Sequence, residues 1–207
     1  MNKQIIAISD IHGELTKLEN LFTKLEYDKN TTFVFLGDYI DRGPNSKGVI
    51  DFIIELQKDY HVIALEGNHE MFAIDAHNDP GSQMAGSWMM NGGVACITSY
   101  DVDFNPPTKM FEEHGQFFNE LVQVYETENH IFVHGWLDPQ LDLDRQDRMS
   151  VLWNRFDDLK PHKSGKKIVC GHTIQRDGIN DVGHAVCIDT GSFMHDGYIS
   201  AMVINAN

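Results

Sequence analysis

The apolar run Thr32-Phe33-Val34-Phe35-Leu36 ends abruptly in Gly37-Asp38-Tyr39-Ile40-Asp41-Arg42-Gly43. The run has the length and composition of a buried strand, and the glycines with Pro44 mark a tight loop after it. Two aspartates and an arginine therefore stand at the tip of a strand, where burial penalises charge. A buried carboxylate must be paired or must hold a metal ion. This junction demands a fold that gathers polar strand ends, and the rest of the chain supplies more of them.

Residues 3–8 form a short apolar run that ends in Ser9-Asp10-Ile11-His12-Gly13, and residues 61–65 form another that ends in Glu66-Gly67-Asn68-His69-Glu70. Between these strands, Leu15, Leu18, Leu21, Phe22 and Leu25 recur at helical spacing within 14–26. Val49, Ile50, Ile53, Ile54 and Leu56 do the same within 46–58. Strand and helix alternating at about 30 residues predict a parallel sheet covered by helices. Ligands of such sheets bind outside the carboxyl ends of the strands, where Asp10, His12, Asp38, Asp41, Arg42, Asn68 and His69 all fall.

Further along, 130–133 ends in His134-Gly135 and 166–170 ends in Gly171-His172-Thr173, while Val151-Leu152-Trp153-Asn154-Arg155 follows an acidic, loop-like stretch. The alternation in 185–189 and 198–204 predicts antiparallel strands that close a second sheet. Segment 71–129 carries only weak helical patterns, interrupted by Asp79-Pro80-Gly81-Ser82, Asn91-Gly92-Gly93 and Asn105-Pro106-Pro107. Its Met71, Phe72, Met84, Trp88, Met89 and Met90 read as core or groove lining. The chain, 1–207, is expected to be a single α/β domain with 71–129 as a variable, cap-like helical segment.

The strand-end donors Asp10, His12, Asp38, Asn68, His134 and His172 mix carboxylate, imidazole and amide. Such a set suits manganese, iron, zinc or nickel, and not a calcium cage or a thiolate site. These donors exceed what one catalytic ion with open positions needs, and they suffice for two ions about 3.5–4 Å apart if one carboxylate bridges. Asp38 is the central candidate for the bridge. Taken singly, each residue has an ordinary explanation: Asp10 as a helix cap, Asn68 as a turn residue, Asp41-Arg42 as a surface ion pair. Their recurrence at equivalent strand ends singles them out. The remaining histidines read as structural or solvated, with His195, in a glycine-flanked loop, nearest to an exception.

Charge narrows the partners. With 16 basic and 31 acidic residues the net charge is -15, which disfavours sequence-independent nucleic-acid binding and anionic membranes. A phosphate substrate would need local positive charge from metals or arginines. No signal-type apolar region opens the chain and no run approaches the ~18 residues of a membrane span, so a cytoplasmic setting is expected. Cys96, Cys170 and Cys187 lack metal-site spacing and read as buried free thiols.

Ser9-Asp10-Ile11-His12-Gly13, Gly37-Asp38-Tyr39-Ile40-Asp41-Arg42-Gly43 and Gly67-Asn68-His69-Glu70 resemble the three signature blocks of the phosphoprotein phosphatase family of metallophosphoesterases. Val133-His134-Gly135 and Gly171-His172-Thr173 resemble its later histidine blocks, and Trp153-Asn154-Arg155 is similar to the bacterial and phage branch, the lambda phage type. The resemblance implies a calcineurin-like β-sandwich flanked by helices, and hydrolysis of phosphoserine and phosphothreonine, with phosphotyrosine a further substrate, by a hydroxide bridging two divalent ions, manganese first. It implies Asp10 and His12 on one ion, Asn68, His134 and His172 on the other, and Asp38 on both. His69 would be the general acid oriented by Asp41, and Arg42 and Arg155 would grip the phosphate. Trp136, after His134-Gly135, departs from the glycine or alanine found there in many members and puts the shape of the pocket wall in question. The alternatives are a dinucleoside polyphosphate hydrolase, which shares the blocks, and a non-catalytic protein-binding scaffold.

Overall fold

Short apolar runs joined by amphipathic helices have one economical arrangement, parallel strands with helices laid over them, and the N-terminal third adopts it. The computed structural model describes residues 4–101, 107–157 and 159–205, so Lys3, Asn105 and Pro106 of the sequence reading lie outside the described residues. Strands β1 (Gln4–Ile8), β2 (Thr32–Phe35) and β3 (His61–Ala64) run parallel, connected through α1 (Leu15–Phe22) and α2 (Ser46–Gln57). Helix α1 is shorter than its apolar spacing predicts, and the Thr23 hydroxyl at its end donates back to the Asn20 carbonyl at 2.8 Å.

The second sheet contains β4 (Val124–Glu126), β5 (His130–Val133), β6 (Lys167–Cys170), β7 (Asn180–Asp181) and β8 (Ala185–Cys187), in the order β4-β5-β6-β8-β7. The last strand, β9 (Ala201–Asn205), does not pair with β8 as its alternation predicts. It joins the first sheet antiparallel to β1, giving the order β3-β2-β1-β9, while β8 lies parallel to β6. The reason is burial. All of β8 is buried, as an interior strand must be, whereas β9 is only partly covered and fits a sheet edge. Strand β4 also corrects the sequence reading, because the helical part of 71–129 stops at Asn119 and Val124–Glu126 belongs to the second sheet.

Strand alternation sorts the core into layers. Ala7, Val34 and Leu36 meet Phe132, Val169 and Val186 between the two sheets. Ile6, Ile8, Phe33 and Phe35 turn the other way, toward the helices that cover the first sheet. These include α3 (Asn68–Asn78), α4 (Gln83–Trp88), α5 (Val94–Ser99) and α6 (Thr108–Asn119), with a kink at Gly92 (φ 113°) between α4 and α5. On the far side, α7 (Arg148–Trp153) sets Val151 and Leu152 against Ile131, Val133 and Ile168. The molecule is thus a sandwich of two sheets flanked by helices. Met71, Phe72, Trp88 and the three cysteines are buried, but Met90 is 90% exposed and is neither core nor buried lining. No helix of the described residues is long and apolar enough to cross a membrane.

Glu70 holds the loop after β2 in place. Its fully buried carboxylate accepts the backbone N–H groups of Asp38 (2.8 Å), Tyr39 (2.9 Å), Ile40 (3.3 Å) and Gly67 (3.0 Å). Glu70→Gln replaces one of the acceptor oxygens with a donor, leaving buried N–H groups without partners. Each such group costs about 1–3 kcal/mol. A total loss of about 3 kcal/mol lowers Tm by roughly 6–12 °C in a chain of this size, which thermal unfolding followed by circular dichroism would read.

Candidate metal centre and active site

The carboxyl ends of β1, β2, β3, β5, β6 and β8 point into one cleft between the sheets. Glycine lets the tips approach each other. At Gly37 (φ 98°) a Cβ would come within 2.6 Å of the Gly67 nitrogen and 2.9 Å of His134 Nδ1. Gly171 N–H donates to the His134 carbonyl at 2.8 Å, extending the pairing of β5 with β6, and across the cleft His172 N–H donates to the Asp10 carboxylate at 3.1 Å.

The backbone is strained where these side chains stand. Among the described residues, positive φ outside glycine occurs at Asp10 (48°), His12 (49°), Asp38 (54°), Asp41 (73°), Arg42 (67°), His172 (62°) and, away from the site, Asp101. Left-handed non-glycine residues are uncommon and cluster where function requires an aimed side chain. Here the strain turns carboxylate, imidazole and guanidinium into a single pocket of about 280 Å³, lined by Asp10, His12, Asp38, Arg42, Asn68 and His69 with Trp153, Arg155, His172 and Asp189.

Asp38 is the hub. One of its oxygens belongs to a ligand-type group with His12 and His69, and it also groups with His134 and His172, all donor atoms within each set lying within 4.8 Å of one another. His134 Nδ1–H donates to the Leu36 carbonyl at 2.8 Å, which leaves Nε2 as a lone pair 3.4 Å from Asp38 Oδ1 and 3.0 Å from Asn68 Oδ1. His172 Nδ1 faces the same Asn68 oxygen at 3.0 Å. On the other side His12 Nδ1–H donates to the Ile40 carbonyl at 3.0 Å and Nε2 looks toward Asp38 Oδ2 at 3.5 Å. Asp10 lines the pocket beside them, and its carboxylate also accepts the Ser9 hydroxyl.

These donors fit divalent cations. Burial, then the neighbouring Asp189 and Asp38, push the Asp10 carboxyl well above its usual range, and burial raises Asp38 as well. Burial pushes the imidazoles the opposite way. His134 is held down at about 4, and His172 at about 3 with help from His134 and Arg155. Carboxylates whose charge burial disfavours stand beside neutral imidazole lone pairs that face an amide oxygen, acceptor against acceptor. A cation resolves that mismatch, and neutral imidazole is the form that ligates.

His69 differs from the other histidines although its Nε2 stands 4.0 Å from Asp38 Oδ2. Its Nδ1–H donates to Asp41 Oδ2 at 2.6 Å, and its Nε2 accepts from Arg42 Nη2 at 3.0 Å, so a guanidinium already stands where an ion would approach. Asp41 is fully buried. Arg42 also approaches His12 Nε2 at 3.3 Å, and its guanidinium lies 4.2 Å over the Phe193 ring. Arg155, an exposed residue at the pocket rim, also lines a neighbouring cavity of about 530 Å³ that includes Trp136. Trp136 thus shapes the adjoining space and not the wall of the ligand pocket. Of the other arginines near in sequence, Arg148 pairs with Glu66 and Arg176 lines a separate surface cavity. His195 is exposed and paired with Asp196 at 2.7 Å, away from the cluster.

Two contributors escaped the sequence reading. Asp189, just past β8, is a buried carboxyl pushed up to about 6 by burial, and it lines the pocket. Its signal was present, an apolar strand ending in an aspartate as at Asp10. Trp88, read as core, donates its indole N–H to Asp41, and nothing local in the sequence announces it.

Relatives carry phosphatase descriptions. The serine/threonine-protein phosphatase 1 of Salmonella typhimurium is 34% identical over 92 residues, 44% of this chain and 39% of its own length. The bis(5'-nucleosyl)-tetraphosphatase PrpE of Oceanobacillus iheyensis is 41% identical over 75 residues, 32% of this chain and 30% of its own. The chain therefore spans well under half the length of these curated relatives. A crystal structure of the cold-active protein-tyrosine phosphatase of a psychrophilic Shewanella species superposes with a TM-score of 0.70 at 16% identity, over 99% of this chain and 80% of that one, and so shares the fold. The calcineurin-like phosphoesterase model matches residues 3–197, nearly the whole of the two-sheet sandwich and every strand end described above, and the chain belongs to that family.

Proposed function

We propose that the protein hydrolyses phosphomonoesters, with phosphoserine and phosphothreonine in proteins as its substrates and phosphotyrosine as a further one. The observation that carries this is the position of Asp38 in both donor groups, directly beside the His69–Asp41 pair and Arg42. Asp10 and His12 would hold one divalent ion and Asn68, His134 and His172 the other, with Asp38 shared. Manganese is the first choice of metal, with iron, zinc and nickel compatible with the donors. Bound there, the ions supply Lewis acidity and lower the pKa of water toward neutrality.

The chain's own residues do the rest. Arg42 and Arg155 present planar guanidinium forks to the phosphate oxygens. Asp41 fixes the His69 ring through Nδ1 and favours its doubly protonated form, so that Nε2, once Arg42 leaves it for the phosphate, can deliver a proton to the departing oxygen. The whole chain acts as one domain, with the helices of 71–119 closing one side of the pocket. The Salmonella relative and the Trp153-Asn154-Arg155 stretch support placing the protein in the bacterial branch.

A second reading, hydrolysis of dinucleoside polyphosphates, is supported by the similarity to the tetraphosphatase of Oceanobacillus. Assays with manganese on 4-nitrophenyl phosphate, a phosphoserine peptide, a phosphotyrosine peptide and diadenosine tetraphosphate separate the two. The expected result is turnover of the aryl phosphate and the peptides, abolished by a chelator and restored by manganese. Turnover of diadenosine tetraphosphate alone would transfer the assignment to the second reading, and activity that a chelator leaves untouched would refute both.

A further inference from the structure

The segment 83–99 reaches the site from outside the strand ends. The Trp88 indole N–H is shared between both oxygens of Asp41, at 3.0 Å to Oδ1 and 2.9 Å to Oδ2, and the residue is 1% exposed. Four residues on, the Gly92 carbonyl accepts the Arg42 backbone N–H at 3.3 Å. Gly92 (φ 113°) breaks the helical geometry within Met89–Gly93, so α4 and α5 meet at a kink. The kink brings an indole and a carbonyl against consecutive residues, Asp41 and Arg42.

We propose that Trp88 is a positioning residue for proton delivery: its N–H fixes the Asp41 carboxylate plane, and Asp41 in turn fixes the tautomer and direction of His69. The inference rests on the assignment of His69 as the acid under Proposed function. The second side-chain torsion of an aspartate is soft and broadly distributed. A donor shared by both oxygens removes that freedom and aims Oδ2 at His69 Nδ1, where the 2.6 Å bond forms. With the Nδ1 proton held there, the acid is the doubly protonated ring, reached when Arg42 turns from Nε2 to the phosphate, and its Nε2 proton is the one that moves. In the reaction a water oxygen bonds to phosphorus, the ester P–O bond breaks with both electrons going to the leaving oxygen, and that oxygen takes the Nε2 proton. An alkoxide needs the proton, whereas 4-nitrophenolate leaves without it.

Two substitutions test the role from opposite sides. Trp88→Phe keeps an aromatic ring and removes the N–H. Gly93→Ala keeps the tryptophan but displaces it, because a Cβ at Gly93 would come 2.8 Å from the indole ring atoms Cδ2 and Cε2 while its backbone is already helical. Both variants, as full-length manganese-loaded enzyme, would be assayed on alkyl phosphates, phenyl phosphate and 4-nitrophenyl phosphate beside His69→Asn. The expected result is a fall in kcat on the alkyl esters of about 10- to 100-fold, as for loss of other outer hydrogen-bond partners. The loss shrinks as the leaving group improves, KM changes little, and His69→Asn shows the same trend more steeply. A loss equal across all the esters, in whichever of the two variants folds, would overturn the inference and leave Trp88 a packing residue. If His69→Asn itself shows no leaving-group trend, the acid assignment fails and the Trp88 inference with it.

Discussion

Asp38→Asn should abolish activity and empty both metal positions. The substitution keeps the size of the side chain and removes one negative charge and one acceptor oxygen, at the residue common to both donor groups. Bound ions contribute several kcal/mol of transition-state stabilisation, and each 1.4 kcal/mol is a factor of ten. The expected loss in kcat is therefore about 10³-fold or more. Metal analysis of the purified variant supplies the decisive readout, with both ions reduced together. A variant that retained one ion at full occupancy would place Asp38 on the other ion alone. Full occupancy of both would remove it from the ligand set. Only side-chain acceptor chemistry is altered, because the N–H groups of residues 38 to 40 remain held by Glu70.

His69→Asn should separate chemistry from metal binding. His69 is nine-tenths or more buried, donates to Asp41 and accepts from Arg42, and by the proposed scheme it ligates nothing. General acid assistance is typically worth ~10²–10⁴-fold, so kcat on a phosphoserine peptide should fall by that range while metal content stays at the wild-type level. KM should move far less, because in the proposed scheme Arg42 and Arg155 still grip the phosphate. Loss of metal in this variant would make His69 a ligand, and unchanged turnover would end its role as acid. Together the two substitutions assign adjacent side chains of one pocket to different tasks.

Much of the candidate pocket's lining could be read from the sequence because its logic is local. A buried strand that ends in a charged residue is visible in ten residues, and Asp10, His12, Asp38, Asn68, His134 and His172 each stand just past such a run. The parallel first sheet was legible for a related reason, since strand and helix periods differ and alternate cleanly. Pairing between distant strands leaves no such trace. The apolar alternation near the C-terminus says that strands form, but not that β8 lies inside one sheet while β9 edges the other. Asp189 was hidden by being read as the end of its strand when it is the tip beyond it. Trp88 was hidden by its chemistry, because a helical tryptophan serves equally as packing or as donor, and its partner lies 47 residues earlier.

The Asp10 strand end has a consequence for how the protein is made. Its backbone carbonyl accepts the Ser192 hydroxyl at 2.5 Å, and its carboxylate accepts the His172 N–H. This proposed ligand is thus shaped by residues that follow it by more than 160 positions. While synthesis is under way, Asp10, His12, Asp38 and Asn68 can emerge and the first parallel strands can pair, but the donors do not yet enclose an ion in the finished arrangement. Under the proposed ligand set, a metal ion therefore finds its finished site only once residues 172 and 192 are in place.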